Sequence, residues 1–165
     1  MRSRSLDVIK DRTGSALVEF AIVFPLLVFL ILGLAQFGLI FYNYILVTNA
    51  AATGARQLSI SRWDPTPYTD TVNAINNATT NLSGLTITLS VNGTACTSDS
   101  SCSTGTTGTT GLQNAPLPSS TATPWPSSVT VTYAACSSTS MIMPISLINL
   151  TKLCSLTSTI QQPVQ

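Results

Sequence analysis

The residues able to do chemistry are few in this chain, and their types decide against most reactions. There is no histidine, which removes a Ser-His-Asp triad, a Cys-His pair and any zinc site built with imidazole. Only six acids and seven bases are present, and they are scattered. Charged residues make up 8%, against roughly 25% in an ordinary soluble protein. A net charge of +1 offers no basic surface to grip nucleic acid. An enzyme is therefore the less expected reading. No cofactor, resident metal or nucleic-acid partner is expected.

The four cysteines, Cys96, Cys102, Cys136 and Cys154, all lie in the C-terminal half. An even count in a small domain favours disulfides if that half is exported. A four-cysteine metal site is disfavoured because no C-x-x-C pair exists. Three pairings are open. Cys96–Cys102 and Cys136–Cys154 are favoured, because each closes a local loop between strand ends. Loop-closure entropy would contribute about 2 kcal/mol for the first and about 3 kcal/mol for the second.

These groups must be positioned by a chain of two contrasting compositions. Residues 1–14 carry Arg2, Arg4, Lys10 and Arg12 against Asp7 and Asp11. Residues 15–47 then hold a single charge, Glu19, and no charged residue occurs from Phe20 to Ala55. A bilayer needs about 20 apolar residues, and this run would make a helix roughly 50 Å long. A cleaved secretory signal is disfavoured. Ala50-Ala51-Ala52 could be cut, but only after a core about twice the usual 7–15 residues. The basic residues ahead of the span put the N-terminus in the cytoplasm and the chain beyond about residue 50 outside.

Residues 48–61 are small and polar with good helix formers, so one helix is expected over 15–61, ended by Pro65 and Pro67. Pro25 removes the bond to the Ala21 carbonyl and should kink or loosen it. Residues 62–165 should form a small exported unit, giving an α+β class overall: a long helix backing a few antiparallel strands. Asp70 is expected to cap a short helix with Val72, Ile75 and Leu82 on one face, ended by Gly84. Residues 85–91 and 128–134 alternate strictly and read as strands, with Asn92-Gly93 as a turn. Residues 156–162 could make a third strand. The Ser/Thr/Gly/Pro-rich residues 97–128 read as a flexible loop. Residues 141–150, apolar but broken by Pro144, are too short for a second span.

The junction of leader and helix carries a motif. A basic leader ends at Gly14, an apolar helix begins at Ser15, and its fifth residue is Glu19. This resembles the processing site of type IV prepilins. More narrowly, GSALVEFAIVFPLLVFLILGLAQFG with the later NAAATGAR is similar to the TadE-like family of the tight-adherence (Flp) pilus system. The resemblance rests on Val18-Glu19-Phe20, Pro25 and Ala52-Thr53-Gly54-Ala55-Arg56, and is strong over residues 12–62. It implies a pilin-like subunit cut between Gly14 and Ser15 by a membrane aspartyl prepilin peptidase. Such a subunit would partner other pilins and the inner-membrane assembly platform, and could reach a surface pilus that serves cell adhesion. The alternative is an uncleaved single-pass anchor whose exported domain binds something.

Residue chemistry bears on the same site. A carboxylate in hydrocarbon is costly and calls for a partner. In the linear sequence the nearest preceding bases are Arg12 and Lys10, seven or more residues back. Cleavage after Gly14 would free the α-amino group of Ser15, with an ordinary pKa near 7.7–8.0. Glu19 could then pair with that cation on an adjacent subunit and set helix register, together with Phe20 and Pro25. Its other placement is to snorkel to the cytoplasmic interface, one turn away.

Overall fold

The computed structural model describes residues 13–80, 82–106, 108–117, 123–134 and 155–165. The chain divides into two compact units between Leu39 and Ile40. The long helix α1 (Thr13–Ile60) contributes to both and runs through Pro25 as a single helix. In the first unit, its stretch from Leu17 to Leu34 presents Leu, Val, Ile and Phe side chains outward. From Ala16 onward α1 is long and apolar enough to cross a membrane.

The second unit is built on the remainder of α1. Four strands form one antiparallel sheet in the order β2-β1-β3-β4: β1 (Leu85–Val91), β2 (Thr94–Cys96), β3 (Pro126–Ala134) and β4 (Ser155–Pro163). The architecture is α+β, as the alternation and the apolar run imply. Asn92 and Gly93 both take positive φ, so β1 and β2 join through a two-residue hairpin turn. The turn was expected, but its second strand was not, because three-residue β2 is too short to show alternation of its own.

Period-two alternation gives the sheet two faces. Leu89, Val91, Val129, Val131 and Tyr133 are buried, with Leu85, Ile87, Leu156 and Ile160 packed beside them. Against them lie Val47, Ala50, Ala51, Ala55 and Leu58 of α1 and Ile75 of α2 (Pro67–Ala78). Gly54 marks the tightest point of α1: a Cβ there would lie 2.6 Å from the Ile75 side chain and 3.3 Å from Val129. The other face is hydroxyl-bearing. Thr130 and Thr159 share a hydrogen bond of 2.9 Å, Thr132 and Thr157 one of 3.1 Å, and Ser90 and Ser128 one of 2.7 Å.

Three expectations around α2 change. Pro67 does not merely close off the preceding helix. It opens α2 at the first position, where its missing N–H would have had no partner. Asp70 sits inside the first turn rather than at the cap. The residue at the cap, Thr66, makes no side-chain capping bond. Asp99 replaces it from elsewhere in the chain, accepting from the Thr69 backbone N–H at 2.9 Å and the Thr69 hydroxyl at 2.8 Å. The helix ends at Ala78, short of Gly84, with the Thr79 amide closing onto the Asn76 carbonyl.

The tract 97–128 also holds more structure than its composition suggests. Cys96 is bonded to Cys102, tying the end of β2 to the short helix α3 (Asp99–Ser103). Ser98 and Ser101 form a reciprocal capping box at its start. Gly111 packs against the backbone of Ser103, Thr104 and Gly105 so closely that any side chain would collide. Leu112, Ala115 and Cys102 are buried. Small residues thus serve close backbone packing there, which composition alone cannot distinguish from a flexible tract. Cys136, Cys154 and residues 141–150 lie outside the described residues.

Two consequences are measurable on the full chain in detergent. Gly54→Ala must displace Ile75 or lift α1, and should lower stability by about 1–3 kcal/mol in denaturant unfolding. Gly38→Ala, where a Cβ meets nothing, should not. Asp99 supplies the second. The Thr69 backbone N–H, more than the Thr69 hydroxyl, holds its carboxyl below the ordinary 3.8 despite some opposing desolvation. Its stabilisation is therefore full above the unfolded-state value of about 3.9 and is lost as pH falls through the depressed one. Asp99→Asn should flatten that part of the acid-unfolding profile, read by circular dichroism between about pH 2 and pH 5.

Candidate functional site

The candidate site is the first third of α1. Gly14 is exposed near the start of the helix, and a Cβ there would meet nothing. The backbone at Gly14 and Ser15 is helical. Glu19 is exposed four residues beyond Ser15, about 6 Å along the axis at 1.5 Å per residue. Phe20 is 63% exposed, and its ring lies 5.4 Å from that of Phe24, tilted by 37°. A contact between residues i and i+4 on a helix surface is expected from the helical period. Pro25, one residue on, supplies no N–H to the helix ladder.

From Ala16 onward the residues of this stretch share outward presentation. Leu17, Val18, Ile22, Leu26, Phe29, Leu30 and Leu34 are all more than half exposed, so the apolar surface runs right round the helix. A soluble core helix hides such a surface on at least one face. This segment can enter hydrocarbon, or pack against other apolar helices, without further rearrangement of its side chains. The structure thus brings Gly14, Ser15, Glu19, Phe20 and Pro25 onto consecutive turns of one helix. Cys96 and Cys102 lie in the other unit, bonded to each other.

The far end of the α1 motif has a different job. Ala52-Thr53-Gly54-Ala55-Arg56 falls in the second unit, where Gly54 and Ala55 are buried and Arg56 is exposed. Residues 14–56 match the TadE-like protein family. No curated protein and no solved structure matches the chain. The TadE-like match begins at Gly14, and it ends with the helix turns that pack on the sheet. It covers 43 of the 165 residues. The sheet, α2 and α3 lie beyond it.

Sequence reasoning passed over two residues that the tertiary structure singles out. Asp99 was one more scattered acid until its bonds to Thr69 placed it at the start of α2. Arg62 is one more scattered base in the sequence. It is buried, donates from Nη2 to the Ala115 carbonyl, and stands 5.7 Å from the Trp63 ring centre. A basic residue just past the C-terminal end of α1 faces the negative end of the helix dipole, the one signal that could have flagged it.

Proposed function

We propose that this chain is a pilin-like subunit of a tight-adherence pilus, cut between Gly14 and Ser15 by a prepilin peptidase and packed into an assembly through α1. The observation that carries the reading is the TadE-like match, which starts at Gly14 and follows the apolar helix. The exposure of that helix on all sides supports it, since such a surface needs lipid or other helices around it. In this reading the chain divides functionally at residues 1–14, a cytoplasmic leader; 15–61, the helix; and 62–165, the exported unit. The role is structural, and the partners are other pilins, the peptidase, the inner-membrane platform and the bilayer. Before assembly the N-terminus is cytoplasmic and the sheet unit lies outside.

Glu19 sets axial register between neighbouring helices by pairing with the freed α-amino group of Ser15 on an adjacent subunit. Its position supports this: four residues beyond the new N-terminus, exposed, and ahead of a run without charge from Phe20 to Ala55. A carboxylate and an ammonium pair more strongly than two neutral groups, and more so away from water.

Protein from cells with their native peptidase should begin at Ser15 and have an intact mass of 151 residues, against 165 before cutting. An assembled fraction that retains Met1 or Arg2 would sink the pilin reading and leave the uncleaved anchor. Glu19→Ala should still insert and still be cut, since the peptidase reads the leader and Gly14. It should co-purify with other pilus subunits severalfold less, the loss being limited because desolvation offsets much of a buried pair's attraction. Glu19→Gln should fare nearly as badly. Cut Glu19→Ala protein assembling at wild-type levels would mean that packing alone sets register.

A further inference from the structure

The two edges of the sheet are built differently. On one side, β2 is three residues long and is tied at Cys96 to α3 by the disulfide with Cys102. That edge offers little to an incoming strand. On the other side, β4 has nine residues, Ser155–Pro163, with no charge and its one proline at the end. Among the described residues, the main-chain ladder of β4 runs to β3 alone. A long uncharged edge leaves a row of N–H and C=O groups able to template another strand, and proteins ordinarily blunt such edges with lysine, bulges, an internal proline or shortness.

The sequence of β4 also says which strand fits. Residues 156–160 read Leu-Thr-Ser-Thr-Ile, which is nearly symmetric about Ser158. In antiparallel pairing of two copies centred there, Leu156 faces Ile160 of the other copy and Thr157 faces its Thr159. Both pairings already suit this sheet. Leu156 and Ile160 pack on its core face. Thr157 and Thr159 are exposed on the hydroxyl face, where each already makes a cross-strand threonine pair to β3. A two-fold contact needs one surface complementary to itself, and this strand has it on both faces.

We infer that β4 is an interaction edge for a second copy of this chain, pairing antiparallel about Ser158 to join two four-stranded sheets into one. Main-chain bonds would give the affinity. The alternation of Thr pairs on one face and Leu–Ile pairs on the other would fix register, because a slip of one residue would set threonines against the core face. β4 lies outside residues 14–56 in the chain, and the pairing requires no processing at Gly14.

Full-length Thr157→Cys and Thr159→Cys chains, with different tags, should be co-expressed in the native host and resolved without reductant. The mixed dimer is expected to exceed either self-dimer severalfold, because residue 157 faces 159 directly while 157–157 and 159–159 are diagonals of about 7–8 Å. Absence of the mixed dimer, or self-dimers in equal yield, overturns the proposal; the unsubstituted chain controls for native cysteines. Charge supplies an independent arm. T157K/T159K sets lysines against lysines and should weaken the detergent-solubilised dimer roughly tenfold, whereas T157K/T159E restores opposite charges and should hold it near the wild-type level. Equal association by both charge variants overturns the proposal even if the sheets fold normally by circular dichroism. An uncut N-terminus would sink the pilin reading and leave these outcomes unaffected.

Discussion

The sheet unit depends on how closely a helix can approach a sheet. At Gly54 the backbone of α1 lies so near Ile75 and Val129 that one added carbon would collide. Ala50, Ala51 and Ala55 extend that small-residue face, and all three are buried. A helix of leucines would stand farther off and leave voids that this chain has few large side chains to fill. The alanines and glycine thus take the place of bulk, and packing comes from proximity.

A core of this kind leaves other parts to local fastening. Loop 97–117 holds its place through the Cys96–Cys102 bond, the Ser98–Ser101 capping box and the contact of Gly111 with the Gly105 backbone. Asp99 ties that loop to α2, since it lies in the first turn of α3 and completes the cap of α2. With so few charges available, one carboxylate serves two helix starts, where the helix dipole favours an anion.

Hydroxyls do elsewhere what charges do in more ordinary proteins. The outer face of the sheet is neutral and hydrogen-bonded across strands through Thr–Thr and Ser–Ser pairs. α1 meets the opposite requirement in the first unit, where its apolar side chains point outward. Water suits the first surface, and hydrocarbon or other helices suit the second.

What the sequence by itself determined is what depends on near neighbours. The charge-free run from Phe20 to Ala55 declares a long apolar helix, the alternation of residues 85–91 and 128–134 declares strands, and Asn92-Gly93 declares the turn that follows the first of them, because helix, strand and turn each impose a period or a φ on adjacent residues. The Gly14–Glu19 spacing was legible for the same reason, as was the pairing of Cys96 with Cys102 across a six-residue separation. The tertiary structure alone decided the strand order β2-β1-β3-β4, the cap that Asp99 gives Thr69 across thirty residues, the burial of Arg62, and the need for glycine at 54. It also turned part of a Ser/Thr/Gly tract into packed loop and helix. None of these leaves a local period, since each depends on which surfaces meet once the chain has collapsed. A glycine that admits a neighbouring side chain looks the same in sequence as one that merely loosens a helix.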